Sequence, residues 1–192
     1  DPKFVSFAKP RKYPNVVAFD KKLANCDTTD IYKFLNGIIK TVDDSKAQII
    51  YSAYSRSFNE AQIVNSEGVD VSEKSSWNSI GYELLKGNGS YDGSDSGRGI
   101  LKPEIKQDLE MLDRLQKKET VKTAEMPILL GRTALCDFFA TALGSNIAAD
   151  KIQKKQSCFV NKKNKKLFDS NLTIYDDGTY GSRATKFDDE GT

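Results

Sequence analysis

Between Thr28 and Leu85 the hydrophobic period changes from one suited to a helix to one suited to strands, which directs the chain toward an α+β architecture. Ile31, Phe34, Leu35, Ile38, Ile39 and Val42 recur at spacings of three and four, forming one face of a helix that Thr28 or Thr29 can cap. From Gln48 onward the repeat is two-fold. Ile49, Tyr51 and Ala53 alternate with Ile50, Ser52 and Tyr54, so either row can face inward. Asn65-Ser66-Glu67-Gly68 reads as a hairpin turn in which Gly68 can take positive φ. Val69 and Val71 resume the alternation, and Trp77, Ile80 and Tyr82 extend it. The expectation is an antiparallel β meander flanked by helices.

Residues 1–24 carry Pro2, Pro10 and Pro14 and read as irregular, while residues 87–99 hold five glycines and read as a mobile loop. Pro103 suits the first turn of a second helix, with Ile105, Leu109, Leu112 and Leu115 along one side. Lys117 to Glu125 is polar and reads as a linker. A domain boundary near residue 124 follows, dividing residues 1–124 from 125–192. In the second part, Met126 to Leu130 reads as a short buried strand. Thr133 reads as the cap of a third helix with Leu135, Phe138, Phe139, Ala142 and Leu143 on one face, expected to be buried. Cys158–Val160 and Leu172–Tyr175 read as further strand pieces. The chain opens at Asp1-Pro2 without a methionine and stops at Thr192 within an apparent turn, so it is expected to be a fragment.

The 192 residues include no histidine, which rules out a His-ligated zinc site or imidazole catalysis built from this chain alone. The 29 basic and 27 acidic residues leave a net charge of +2, which argues against a dedicated nucleic-acid protein. No apolar run approaches the roughly 20 residues that span a bilayer, and no signal pattern opens the chain, so a cytoplasmic protein without membrane contact is expected. Cys26, Cys136 and Cys158 are odd in number and widely spaced, the pattern of reduced thiols packed as small hydrophobes rather than of a disulfide framework or zinc knuckle.

Three local patterns invite chemistry, and each has a plainer explanation. The glycines of 87–99 lack the spacing of a phosphate-cradling loop, and no Gly-Lys-Ser/Thr follows them. Asp92, Ser94, Ser96 and Gly97 mimic the start of a calcium loop, but Pro103 stands where its bidentate glutamate belongs. Seven lysines between Lys151 and Lys166 could meet phosphates, yet Asn161 to Lys166 reads as a solvated turn. Asp176-Asp177 and Asp188-Asp189-Glu190 could hold magnesium or do acid–base work, but neighbours on an extended chain point apart, which favours turn and loop roles.

Several short motifs, in order, carry a resemblance to a known family. Ala148 to Ser157 resembles the segment after the motif helix of TldD/PmbA proteins, and Leu172–Thr179, Gly181-Ser182 and Phe187–Gly191 resemble that family's downstream signature. Ser55-Arg56-Ser57, Asn65–Gly68 and Val69–Val71 resemble the hairpin of its preceding domain. The resemblance implies an internal fragment of a protein about twice this long, metallopeptidase-related and also labelled a modulator of DNA gyrase, with residues 1–124 the latter part of its α+β N-terminal domain and 125–192 the first part of its β-rich C-terminal domain. In that family a zinc-bearing TldD-type subunit, paired with a TldE/PmbA-type subunit, is associated with proteolysis of peptides. The zinc subunit carries His-Glu-x-x-x-His on a helix and a cysteine ligand further on. Aligned on Asp150 and Ser157, the two histidines fall on Ala140 and Ser145 and the glutamate on Thr141.

With those degenerate positions the chain resembles the PmbA/TldE side, or an uncoupled relative, which implies no catalytic or metal residues, no cofactor of its own, and zinc expected only in a TldD-type partner. Gln153, Lys154, Ser157, Asp176, Asp177, Asp188, Asp189 and Glu190 are the residues expected to contact peptide or an interface. Partners would be a TldD-type subunit or a second copy, with a peptide substrate in the complex. The alternative is a regulatory or DNA-topology-related binding protein without proteolytic activity. A third reading is an enzyme using carboxylates alone.

Overall fold

A computed structural model describes residues 6–117, 120 and 122–192. Residues 1–5 of the irregular N-terminal stretch and residues 118, 119 and 121 of the expected linker lie outside the described residues. The chain divides into two compact units, one of Asp1–Glu119 with Asp176–Thr192, the other of Thr120–Tyr175.

The first unit is a three-stranded antiparallel sheet in the order β1-β2-β3, with helices against one face. The strands are β1 (Gln48–Val64), β2 (Asp70–Lys86) and β3 (Gly89–Gly97), and the helices are α1 (Lys21–Asn25), α2 (Thr28–Asp44) and α3 (Ile105–Arg114). The β1–β2 turn is the one expected: the Asn65 amide donates to the Val69 carbonyl at 3.0 Å, and Gly68 takes φ +92°. In the central strand alternate residues Ser76, Asn78, Ile80, Tyr82 and Leu84 are buried against the helices. Val42 of α2, Leu84 of β2 and Leu112 of α3 are 0% exposed and meet in the core.

The ambiguous parity of β1 is resolved by a bulge. Ile49 pairs with Leu84 but Tyr51 pairs with Glu83, so Ile50 is the extra residue. The inserted residue shifts the phase, and both Ile49 and Tyr54 pack against the core despite their odd separation. Trp77 belongs to the opposite row from Ile80 and Tyr82, and its ring lies 4.7 Å beneath the Arg183 guanidinium.

Four local expectations for this unit are corrected. The glycine-rich stretch 87–99 is largely strand β3, because its small residues let Tyr82 lie across Gly93, its cross-strand partner. The irregular 1–24 stretch contains α1, capped by the Asp20 carboxylate on the Leu23 amide at 2.9 Å. Asp27, not Thr28 or Thr29, caps α2, accepting from the Asp30 amide at 2.9 Å. Leu115 lies one residue past α3 and is exposed.

The final segment runs along the outer half of β2, where β3 does not reach. The Lys186 amide donates to Glu73 Oε1 at 2.9 Å, and Tyr13 Oη donates to the Gly191 carbonyl at 2.9 Å. The Arg98 guanidinium donates to the Ser182 and Ala184 carbonyls. On the N-terminal side, the Ser76 amide donates to the Ala18 carbonyl at 3.0 Å.

The second unit holds α4 (Arg132–Phe139), a π-helical turn (Ala140–Gly144), α5 (Ser145–Ile147) and α6 (Ala149–Gln153). No strand occurs among its described residues. The buried strand expected at Met126–Leu130 is without regular structure, and Leu129 is 99% exposed. Cys158–Val160 forms turns, and Leu172–Tyr175 is without regular structure and exposed. A strand is fixed by its ladder partner, and these apolar runs have none among the described residues. The face expected to be buried on α4 is open as well. Phe138 is 58% exposed and Leu135 is exposed, while Phe139, Ala142 and Leu143 are half-buried. Gly131, rather than Thr133, stands at the N-cap of this helix, with no side-chain cap.

Candidate functional site

The helix that holds the three positions expected to be a degenerate motif, Ala140, Thr141 and Ser145, changes its winding there. The π-helical turn spans Ala140–Gly144 and Ser145 follows it. In a π turn the backbone closes from residue i to i+5, which stacks residues five apart more nearly one above the other than an α-helix does. Ala140 and Ser145 are separated by that interval, so the backbone favours a convergent pair at these positions. The side chains there do not make a metal site. Ala140 has no donor atom, the Thr141 hydroxyl is a poor ligand, and Ser145 Oγ donates to the Thr141 carbonyl at 2.9 Å. Among the described residues no group of three or more His, Cys, Asp or Glu could hold a metal ion. A zinc ion does not fit this donor set.

The end of the same helix is held by a residue that sequence reasoning passed over. Asn146 Nδ2 donates to the Ala142 carbonyl at 2.9 Å, and Asn146 Oδ1 accepts from the Cys158 amide at 3.3 Å. Ser157 Oγ donates to the Asn146 carbonyl at 2.6 Å and accepts from the Phe159 amide at 2.9 Å. Ser157 thus joins α5 to the turn after α6, and the one proton of its hydroxyl is committed to doing so. Nothing in the local sequence marked Asn146, whose role depends on a partner twelve residues away. Gln153 and Lys154 are exposed, and Lys154 Nζ lies 3.5 Å from Asp150.

The acidic residues of the final segment lie in the first unit and mostly serve their own turns. Asp177 accepts from the Thr179 hydroxyl at 2.6 Å and the Thr179 amide at 2.9 Å, which holds its carboxyl below the usual carboxylate range. Asp188 accepts from the Thr192 hydroxyl at 2.5 Å, the Thr192 amide at 2.8 Å and the Glu190 amide at 3.1 Å; it too is lowered, chiefly by Thr192. Asp176, Asp189 and Glu190 are exposed. Thr179 and Asp188 share a cleft of about 570 Å³ with Arg11, Lys12, Lys186 and Thr192. The structure therefore brings part of the acidic set beside basic residues.

The three thiols are free, but the packing expected of them is corrected: Cys136 and Cys158 are exposed and Cys26 is half-buried. The lysines from Lys151 to Lys166 are all exposed. No helix among the described residues is long and apolar enough to cross a membrane.

Comparison with known proteins bears on the family and the fold. Residues 17–127 match the family model described as the PmbA/TldA metallopeptidase central domain, and residues 123–192 match that of its C-terminal domain. The uncharacterized protein MJ0231 of Methanocaldococcus jannaschii is 28% identical over 199 residues, covering 99% of this chain and 47% of that protein. The fold is similar to the crystal structure of TldE from Thermococcus kodakarensis, with a TM-score of 0.74 and 22% identity over 100% of this chain and 46% of that one. It is similar also to a proposed modulator of a DNA gyrase from Thermotoga maritima, with a TM-score of 0.76 and 15% identity over 98% of this chain and 46% of that one. The chain thus spans about half the length of these relatives. Together the two family matches run from residue 17 to the last residue, and the chain belongs to the metallopeptidase-related PmbA/TldD family.

Proposed function

We propose that this chain is part of a PmbA/TldE-like subunit that works beside a zinc-bearing TldD-type metallopeptidase acting on peptides and holds no metal itself. The observation that carries this reading is the motif helix: its π turn suits a convergent pair, but Ala140, Thr141 and Ser145 offer no ligand set. The fold shared with TldE supports the same assignment. The subunit's contribution would be to shape the substrate cleft and the interface. Strand β1 lies at the edge of its sheet and can accept an extended peptide by strand addition. Gln153, Lys154, Asp176, Asp189 and Glu190 are exposed and available for such contacts, whereas Ser157, Asp177 and Asp188 act through the turns they close. A TldD-type subunit is the partner proposed, with a second copy of the chain as the other association, in the cytoplasm.

The test is reconstitution of the full-length protein with and without a TldD-type subunit. Peptide cleavage and zinc should appear only with that subunit present, and cleavage by this protein alone would overturn the reading. The second reading, a DNA-topology-related binding protein, draws on the exposed lysines of 151–166 and on the name of the Thermotoga relative. It requires binding to duplex DNA that falls steeply with salt and is lost when Lys162, Lys163, Lys165 and Lys166 become alanine.

A further inference from the structure

Strand β1 stands at one side of its sheet, and among the described residues β2 is the only strand that pairs with it. Its other edge therefore carries no ladder. Natural edges are usually blunted by proline, by lysine, by bulges or by brevity. β1 runs from Gln48 to Val64 with no proline or lysine, and its bulge, at Ile50, lies near its start. The stretch from Tyr54 to Gln62 is thus a regular edge with the backbone geometry to template a further strand.

The charges on that edge are arranged for one kind of partner. Arg56 and Glu60 are the only charged residues of β1, and they stand on either side of Phe58 in the same row of side chains. Arg56 is held in place: its Nη1 donates to the Cys26 carbonyl at 2.6 Å and the Leu23 carbonyl at 3.3 Å. Its guanidinium carbon lies 5.6 Å from the centre of the Phe58 ring. Phe58 is 44% exposed, and Glu60 is exposed with Lys74 Nζ at 3.3 Å. The opposite row, Ser55, Ser57, Asn59 and Ala61, is exposed and puts little bulk in the way of a second strand.

We infer that β1 pairs antiparallel with β1 of a second copy of this chain, with Phe58 facing itself on the two-fold axis. In that register Arg56 of each copy meets Glu60 of the other, Ser55 meets Ala61, and Tyr54 meets Gln62. Opposite charges directly across a strand pair stabilise it, and like charges destabilise it. Neighbouring registers lose the match. A slip by one pleat repeat sets Glu60 against Phe58 or against Tyr54, and parallel in-register pairing sets Arg56 on Arg56. An edge filled this way is closed to an added peptide, so copy and peptide compete for it. The pairing takes the same open edge as the peptide reading but needs no zinc-bearing partner, so its test and the reconstitution can fail separately.

Sedimentation equilibrium of the whole chain measures the association, and cross-linking measures the register. Ser55→Cys and Ala61→Cys chains are mixed and oxidised, and the linked peptides are identified by mass, which separates them from any disulfide of Cys26, Cys136 or Cys158. The mixture should link position 55 of one copy to position 61 of the other. Neither chain alone should link to itself through the new thiol, because each position lies far from its own copy across the axis. Glu60→Arg, a change on an exposed side chain, should weaken dimerisation about ten-fold by setting like charges opposite each other, while circular dichroism reports an intact fold. A chain that stays monomeric at millimolar concentration would overturn the proposal. So would a dimer in which the mixed thiols do not link, or one whose strength Glu60→Arg leaves unchanged.

Discussion

At the scale of single residues, one polar contact of the core joins Tyr82, Asp108 and Tyr91. Tyr82 Oη donates to Asp108 Oδ2 at 2.5 Å from a nearly buried position. Burial first, and then the Asp108 carboxylate, push the Tyr82 hydroxyl well above the usual tyrosine range; Tyr91 is raised by the same two causes. Because the folded state favours the neutral phenol, the associated stability is fully present below the unfolded value of 10.0 and is lost as pH rises above it. Tyr82→Phe should cost about 1–3 kcal/mol at neutral pH. It should also flatten the decline in stability above pH 10, read by urea unfolding across pH 8 to 11. A decline as steep as in the parent chain would remove Tyr82 as its source. Gly93 faces the same ring, and a Cβ there would lie 2.1 Å from a Tyr82 ring carbon. Gly93→Ala should therefore destabilise by about 1–3 kcal/mol through overpacking, and an unchanged unfolding midpoint would show that the ring can move aside.

At the scale of elements, amphipathic pattern told the same story for α2, α3 and α4, but only the first two found cover. Ile105, Leu109 and Leu112 of α3 are buried against the sheet, as the spacing implied. No residue of α4 is buried. Leu112→Ala should cost about 2–5 kcal/mol, whereas Phe138→Ala, which would cost as much or more in a filled core, should stay within about 0.5 kcal/mol in this chain. Thermal unfolding of the two variants side by side checks the contrast. A large loss from Phe138→Ala would mean that α4 is covered in solution. The glycine stretch shows the converse case. Its residues lacked any apolar alternation, yet they form β3 because the neighbouring strand supplies the ladder and large side chains to lie over them.

At the scale of the whole molecule, the two units differ in what holds them. The first has a filled core, long strand pairing and a final segment tied down by Glu73, Arg98 and Tyr13. The second has short helices, turns and no buried residue within its helices. Limited proteolysis should cut first within residues 120–175, leaving the sheet intact, because local opening is easiest where few apolar contacts must be lost. Residues 176–192 should resist longer than that stretch, because Glu73, Arg98 and Tyr13 tie them to the sheet unit. First cuts in β1 or β2 would contradict this order. The purified chain should also retain no stoichiometric zinc after dialysis against a chelator, since it has no histidine and its three cysteines are dispersed. One tightly held zinc per chain on elemental analysis would refute that.

The sequence by itself determined the α+β class, the principal helices of the first unit and the β1–β2 hairpin, because each depends on local periodicity or turn chemistry. It also carried the family resemblance, through short motifs in a fixed order. Only the tertiary structure decided which apolar runs become strands, how the bulge at Ile50 resolves the two possible faces of β1, and where Asn146 stands. Those outcomes rest on partners distant in sequence. A strand needs a neighbour to pair with, an amphipathic helix needs a surface to cover, and the amide of Asn146 needs the turn twelve residues on.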